Sequence, residues 1–378
     1  MRIAIDCRPL TRLPTGVANF VIPAINEWSS LYPDSKFYLL INCPLHEEVK
    51  KRLSMRSNVI VINSPLFIFK NIGILWYHLK LWYILRKLNP NYFWAPTPLL
   101  PIWIPRSIKT IVTVHDFVYK EFKFTANKIN RIVNFLFSDR SIKKADILWS
   151  ISMYTKRKIE FYFPKRKCRS IFVGCAIDKK KFICLRMKKE EQEQLLRKYN
   201  VPEKLLMFVG TLEPRKNLIF LLSLMPILVK YGYGLLVVGA KGWGRTGVKD
   251  ILENNNILKD NISFAGYVNT DELVKLYNVA RIFVSTSLNE GFGFPQLEAM
   301  ACGCPAVTAH NSAMIEVVEG AGMTVEGWEK EKWCEAINEV YRNRIEHVEK
   351  GFEKIKCYDW NNIIKELNEY LMKYKQSN

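Results

Sequence analysis

The sequence predicts an α/β protein of two domains, each carrying a doubly wound parallel sheet. Three observations point there. The 378 residues exceed what one compact core holds. Short apolar runs alternate with helical stretches, at 36–41, 45–54 and 58–62 for example. The stretch Arg281–His310 reads as strand, glycine-bearing loop, helix and second strand.

Taken in order, Arg2–Asp6 is a buried strand and CRPLTRLPTGVANF follows it. Pro14, Thr15 and Gly16 make a turn, and Val17 onward is helical to Ser30. Gly16 is either a plain turn residue or a place where backbone approaches a phosphate. Between 66 and 88 lies the most aromatic part of the chain, with Trp76, Tyr77, Trp82 and Tyr83 among Lys70, Lys80, Arg86 and Lys87. Two readings stand: a buried helix, or a basic-aromatic face on an anionic membrane surface. Pro96, Pro98, Pro101 and Pro105 mark a loop. The strand Ile111–Val114 ends in His115-Asp116, where reactive groups of open α/β sheets gather. Further strands fall at 145–150 and 170–173, with Ser152 or Thr155 as N-cap between them.

The charged run from Asp178 to Lys204 reads as a solvated helix beside an interdomain linker. A strand restarts at Leu205, and GTLEPRKN places Arg215 and Lys216 at the start of a helix running through Leu228. Two cations beside helix N–H groups suit a diphosphate, although adjacent basic residues are often just solvated. The segment FAGYV, ending at Val268, precedes a helix with Asp271 and Glu272 in its first turn. In the loop after Arg281–Thr286, Gly291 and Gly293 permit close ligand approach. Pro295 then opens a helix, with Glu290 on the loop and Glu298 in the first helical turn.

Composition excludes some classes and leaves others open. Fifty-six Lys and Arg against 36 Asp and Glu give a net charge of +20, which calls for an anionic partner. Nine cysteines in no C-x-x-C pair imply neither a disulfide framework nor a metal site, and Cys302 and Cys304 read as small buried residues. The chain opens directly on a strand and has no apolar run of spanning length, so a reducing cytoplasm is expected. There is no D-x-D and no His, Cys, Asp or Glu cluster with metal spacing.

NEGFGFPQLEAMACGCP, GTLEPRKN, IVTVHDF, FAGYV and MIEVVEG together resemble retaining GT-B glycosyltransferases of the family-4 type. The likeness covers nearly the whole chain, is strongest from Leu205 to Val318, and leans toward the mannosyltransferases of O-antigen and exopolysaccharide assembly. It implies two Rossmann-like domains facing across a cleft: an acceptor domain at 1–185, a sugar-nucleotide domain at 186–358, and a last helix at 359–378 crossing back. It further implies Glu290, Arg215, Lys216 and His115 as catalytic residues. The donor would lie on Gly16, Arg215, Lys216, Val268, Gly291, Phe292, Gly293, Phe294 and Glu298, with Glu298 on the ribose and Glu290 on the transferred sugar. Cofactor and metal are expected to be none, with a nucleotide diphosphate sugar as donor, GDP-mannose ahead of UDP-sugars. The expected partners are a lipid-linked glycan or oligosaccharide acceptor and the anionic inner face of the plasma membrane, with no nucleic acid. A basic nucleic-acid binder would explain the charge but not the paired glutamates, and a catalytically dead sugar-nucleotide binder would have no need of both.

Overall fold

The computed structural model describes the chain except residues 15, 65–75, 122–127, 169, 241, 243–246, 254 and 377–378. It divides into two compact units, Met1–Phe117 with Ile129–Ile177 and Asp359–Asn378, and Val118–Lys128 with Asp178–Tyr358. The first unit thus ends at Ile177, ahead of the expected 185, and the short stretch Val118–Lys128 groups with the second.

In the first unit seven strands form one sheet: β1 (Arg2–Asp6), β2 (Lys36–Ile41), β3 (Val59–Asn63), β4 (Tyr92–Ala95), β5 (Lys109–Val114), β6 (Ile147–Ser150) and β7 (Ile171–Val173). Their order is β3-β2-β1-β4-β5-β6-β7, and every pairing is parallel. The order reverses between β1 and β4, and ligands of doubly wound sheets bind outside the carboxyl ends at such a reversal. Strand β4 has no counterpart in the sequence reading. All four of its residues are buried, so it lacks the alternation that marks a half-exposed strand. Its Trp94 stacks on Trp149 of β6 at 5.1 Å, and Phe20 meets both edge-on. Such pairs add about 0.5–1.5 kcal/mol each beyond the area they bury. The helix Trp360–Gln376 packs on the helix Gly16–Leu31, with Trp360 against Phe20 at 5.3 Å and the Tyr92 hydroxyl donating to the Leu371 carbonyl at 3.0 Å.

The second unit repeats the plan with β8 (Leu205–Val209), β9 (Gly234–Val238), β10 (Ile262–Gly266), β11 (Ile282–Ser285), β12 (Ala306–Ala309) and β13 (Met323–Val325). The order is β10-β9-β8-β11-β12-β13, again parallel throughout, with the reversal between β8 and β11. One face of the sheet is sealed by the helices Leu218–Leu228 and Lys330–Arg342, which bury Leu221, Leu222, Trp333 and Ile337 against Leu206, Leu235, Val284 and Val307. The charged helix Lys189–Lys198 buries nothing, as a solvated helix should.

Candidate active site

The two loops that leave the carboxyl ends of β8 and β11 are neighbours because those strands pair across the sheet reversal. Their backbones are tied directly. Leu288 N–H donates to the Arg215 carbonyl at 2.8 Å, and the Thr286 hydroxyl donates to the Asn217 carbonyl at 3.0 Å. After β8 the chain makes a short 3-10 turn, Pro214–Lys216, and the helix proper begins at Leu218. Asn217 between them is left-handed, φ 51°. Arg215 and Lys216 therefore precede the helix instead of forming its first turn. They are aimed by the turn, not by the helix end.

Both cations converge on one carboxylate. Arg215 Nη1 donates to Glu290 Oε2 at 2.9 Å, and Lys216 Nζ donates to Oε1 at 2.5 Å. Ser287 Oγ adds a third bond to Oε1 at 2.7 Å, and the Ser312 hydroxyl accepts from Glu290 N–H at 3.0 Å. Glu213 holds the other side of the guanidinium, with Oε1 at 3.0 Å from Nε and 2.5 Å from Nη2. All four charged side chains are nearly sealed from water, between 11% and 13% exposed. Burial alone would raise the Glu290 carboxyl; the Lys216 and Arg215 charges and the bonds from Lys216 and Ser287 outweigh it and hold it down at about 2. Formally, two cations face two carboxylates. A diphosphate arriving here would compete with Glu290 and Glu213 for the same donors.

Gly291 and Gly293 follow on the same loop, and Gly293, φ +119°, is the N-cap of the helix Phe294–Ala301. Pro295 is its second residue and Glu298 its fifth, at the start of the second turn and one residue further in than a helix opening on Pro295 would place it. The Glu298 side chain is buried at 3% exposure and accepts from the Tyr277 hydroxyl at 3.3 Å. Burial first, and then the Glu298 charge, push the Tyr277 phenol well above its ordinary value. Phe292 is buried against Phe294 at 5.0 Å and Tyr358 at 5.7 Å, while Phe294 is only partly buried. Val268, partly buried, sits between β10 and the helix Thr270–Val279, whose N-cap Asn269 accepts from Glu272 N–H at 2.9 Å.

In the first unit, Gly16 starts its helix, and a Cβ there would meet no atom within 4 Å. His115 follows β5 and lies edge-on to Phe20 at 5.3 Å. Its Nε2 is 2.7 Å from the Pro96 carbonyl, which can only accept, so Nε2 carries the proton and Nδ1 is the nitrogen left for other chemistry. Burial lowers the imidazole's affinity for a second proton.

The aromatic stretch departs from its membrane reading. Trp76 and Tyr77 are 1% exposed, with the Trp76 indole donating to the Ser64 carbonyl at 2.6 Å and the Arg8 guanidinium 3.5 Å above the Tyr77 ring. Neither can reach a headgroup. Tyr83, Arg86 and Lys87 are exposed, Lys80 is partly so, and Lys70 lies outside the described residues. Among the described residues no helix is long and apolar enough to cross a membrane, and no three His, Cys, Asp or Glu are grouped to hold an ion.

Sequence reasoning overlooked Glu213, Ser287 and Ser312. Ser287 was findable: it stands three residues before Glu290, a spacing at which a hydroxyl and a carboxylate meet around one turn. Ser312 belongs to a distant segment and carried no local signal.

A profile of the family Glycosyl transferases group 1 matches residues 188–354. The O-antigen chain mannosyltransferase B of Escherichia coli is 28% identical over 248 residues, 64% of this chain and 63% of that protein. The O-antigen chain mannosyltransferase RfbU of Salmonella typhimurium is 23% identical over 309 residues, 80% of each. Among solved structures, sucrose-phosphate synthase from Thermosynechococcus elongatus is similar with a TM-score of 0.76 at 15% identity, over 100% of both chains. Two parallel Rossmann-like domains, with that match laid over the paired loops of the second, give the chain the fold of the GT-B class and a likeness to glycosyltransferases. The family match spans less than half of the chain, and the chain spans less than two thirds of the length of the mannosyltransferase B relative.

Proposed function

We propose that this protein transfers a hexose, with mannose favoured, from a nucleotide diphosphate sugar to a lipid-linked glycan or oligosaccharide in bacterial surface polysaccharide synthesis, with retention of anomeric configuration. The observation that carries the reading is the meeting of Arg215 and Lys216 on Glu290 beside the sheet reversal. As the bond to the anomeric carbon breaks, its electron pair passes to the β-phosphate oxygen. Arg215 and Lys216, exchanging Glu290 for phosphate, stabilise that charge with little reorganisation. Glu290, freed from one or both, accepts from a hydroxyl of the transferred sugar. The leaving phosphate takes the proton of the attacking acceptor hydroxyl on the same face of the ring, which keeps the configuration. His115, through Nδ1, orients the sugar or the acceptor. Two organic cations fill the charge-neutralising role that a divalent ion has in other transferases, so turnover is expected to survive EDTA.

Mannose as the transferred sugar is supported by the two mannosyltransferase relatives, and the excess of positive charge supports work at the anionic inner face of a membrane. The deciding experiment is a thermal-shift panel of GDP-mannose, UDP-glucose, UDP-galactose and UDP-N-acetylglucosamine. A ligand at 100 times its dissociation constant stabilises by about 2.7 kcal/mol, so one sugar nucleotide should stand clear of the rest. Transfer with that donor, and NMR of the new anomeric centre, test activity and retention. No shift with any sugar nucleotide, or an inverted product, would overturn the reading.

A further inference from the structure

At the end of the first domain's sheet opposite His115 there is a pocket of about 430 Å³, bordered by the amino ends of β5 and β6 and by the proline-bracketed loop 101–105. Five cations line it, Arg106, Lys109, Arg140, Lys144 and Lys167, around a single carboxylate, Asp146. That carboxylate is already engaged: Oδ1 binds Lys167 Nζ at 2.6 Å, and Oδ2 accepts from Thr110 N–H at 2.9 Å and from its hydroxyl at 2.7 Å. Arg140 donates to the Ile102 carbonyl at 2.8 Å and so fixes the loop. Among the described residues no carboxylate pairs with Arg106, Lys109 or Lys144. Like charges gathered round a hollow repel one another, an arrangement that favours a bound anion.

Two further features select the anion. Beside the cations the same loop holds Ile102 and Trp103 in water at 41% and 56% exposure. A soluble phosphate would gain nothing from them, whereas a bilayer surface takes the aromatic at headgroup depth and the cations at the phosphates. The charge also continues beyond the pocket. Ser107 donates to Asn89 at 3.1 Å, which joins the loop to the end of the helix Leu81–Leu88, where Arg86 and Lys87 are exposed. We infer that this pocket and its Ile102–Trp103 rim are the site at which the protein docks on an anionic lipid bilayer, one lipid phosphate entering among Arg106, Lys109 and Lys144. The inference rests on the proposed membrane work of the enzyme, and moves the contact from the aromatic stretch to this edge of the sheet.

The test is co-sedimentation with vesicles of phosphatidylglycerol and phosphatidylcholine, against phosphatidylcholine alone, without donor or acceptor. The wild type should bind the anionic vesicles only, less as salt rises. Replacing Arg106, Lys109 and Lys144 together by Ala should weaken binding about a hundredfold. Trp103→Ser should weaken it with the salt dependence kept. Both variants change side chains at the surface, and an unaltered melting temperature and GDP-mannose shift would show them folded. Vesicle binding by the triple variant equal to wild type overturns the site, as does retention by single-stranded RNA under salt that releases the vesicles. Sugar transfer to a water-soluble acceptor without vesicle binding would refute the docking and leave the transferase standing. Vesicle binding without any transfer would do the reverse.

Discussion

Lys216 Nζ and Glu290 Oε1 meet at 2.5 Å across 74 residues of sequence, because β8 and β11 pair at the point where the second sheet reverses its order. With Arg215 on the other oxygen, the carboxylate is held ionised at about 2 against an ordinary 4.5. Its ionisation therefore stabilises the fold above about pH 4.5 and ceases to do so as the pH falls toward 2. The gap corresponds to on the order of 3 kcal/mol. Urea melts between pH 2 and pH 7 should show this slope in the wild type and lack it in Glu290→Gln. At neutral pH that variant should also be less stable, by about 3 kcal/mol, since two cations lose their partner. Parallel pH profiles for the two proteins would contradict the assignment.

Removing either cation should slow the chemical step. Arg215→Ala and Lys216→Ala are each expected to lower kcat by about 10²–10³. Lys216→Ala also leaves Glu290 with one cation, so its acid transition should move to higher pH. Unchanged turnover in either variant would mean that the pair serves only to neutralise Glu290.

The two glutamates should separate in calorimetry with free GDP. Glu298, buried beside Tyr277 in the second helical turn, is assigned to the ribose, so Glu298→Gln should weaken nucleotide binding whichever sugar is attached. Glu290→Gln removes a competitor for Arg215 and Lys216, so it should keep or tighten GDP binding while losing the part of the affinity that the attached sugar adds. Equal loss of GDP binding in both variants would refute the division.

Two glycines make opposite predictions. Gly239, φ +148°, lies at the end of β9, and a Cβ there would sit 2.0 Å from the Gly210 carbonyl. Gly239→Ala should cost at least about 2 kcal/mol in a denaturant melt. Gly16 has open space at its Cα, so Gly16→Ala should melt like the wild type and yet transfer sugar more slowly. Normal transfer would remove Gly16 from the site.

The strand-helix alternation and the β8 and β11 loops were legible because each is a local signal. An apolar run, a glycine and a charged pair all lie within a few residues. Strand β4 was not, since YFWA between prolines is four residues buried on both faces and shows no period. The place of Glu298 was missed by one residue because Pro295 suggested the helix start while Gly293 in fact caps it. Trp76 and Tyr77 look amphipathic beside lysines, and only the tertiary fold reveals that Arg8 and the Ser64 carbonyl claim them. Ser312 became a partner of the site through packing that no spacing announces, whereas Glu213 stands only two residues before the Arg215 it binds.

Strand β5 has one further consequence. Its first residue, Lys109, lines the basic pocket, and His115 follows directly on its last, Val114. At about 3.3 Å per residue the two lie on the order of 20 Å apart. A domain standing on lipid by its basic edge would hold His115 at up to that height above the phosphates. The first sugar on a lipid diphosphate would then be out of reach, while the tip of a longer glycan would come level. Such a stand-off would act as a ruler, making the enzyme an extender of chains already begun. On bilayers, lipid-linked acceptors of several sugars should be used in preference to a single lipid-linked sugar, and the preference should fade when the same glycans are offered free in solution.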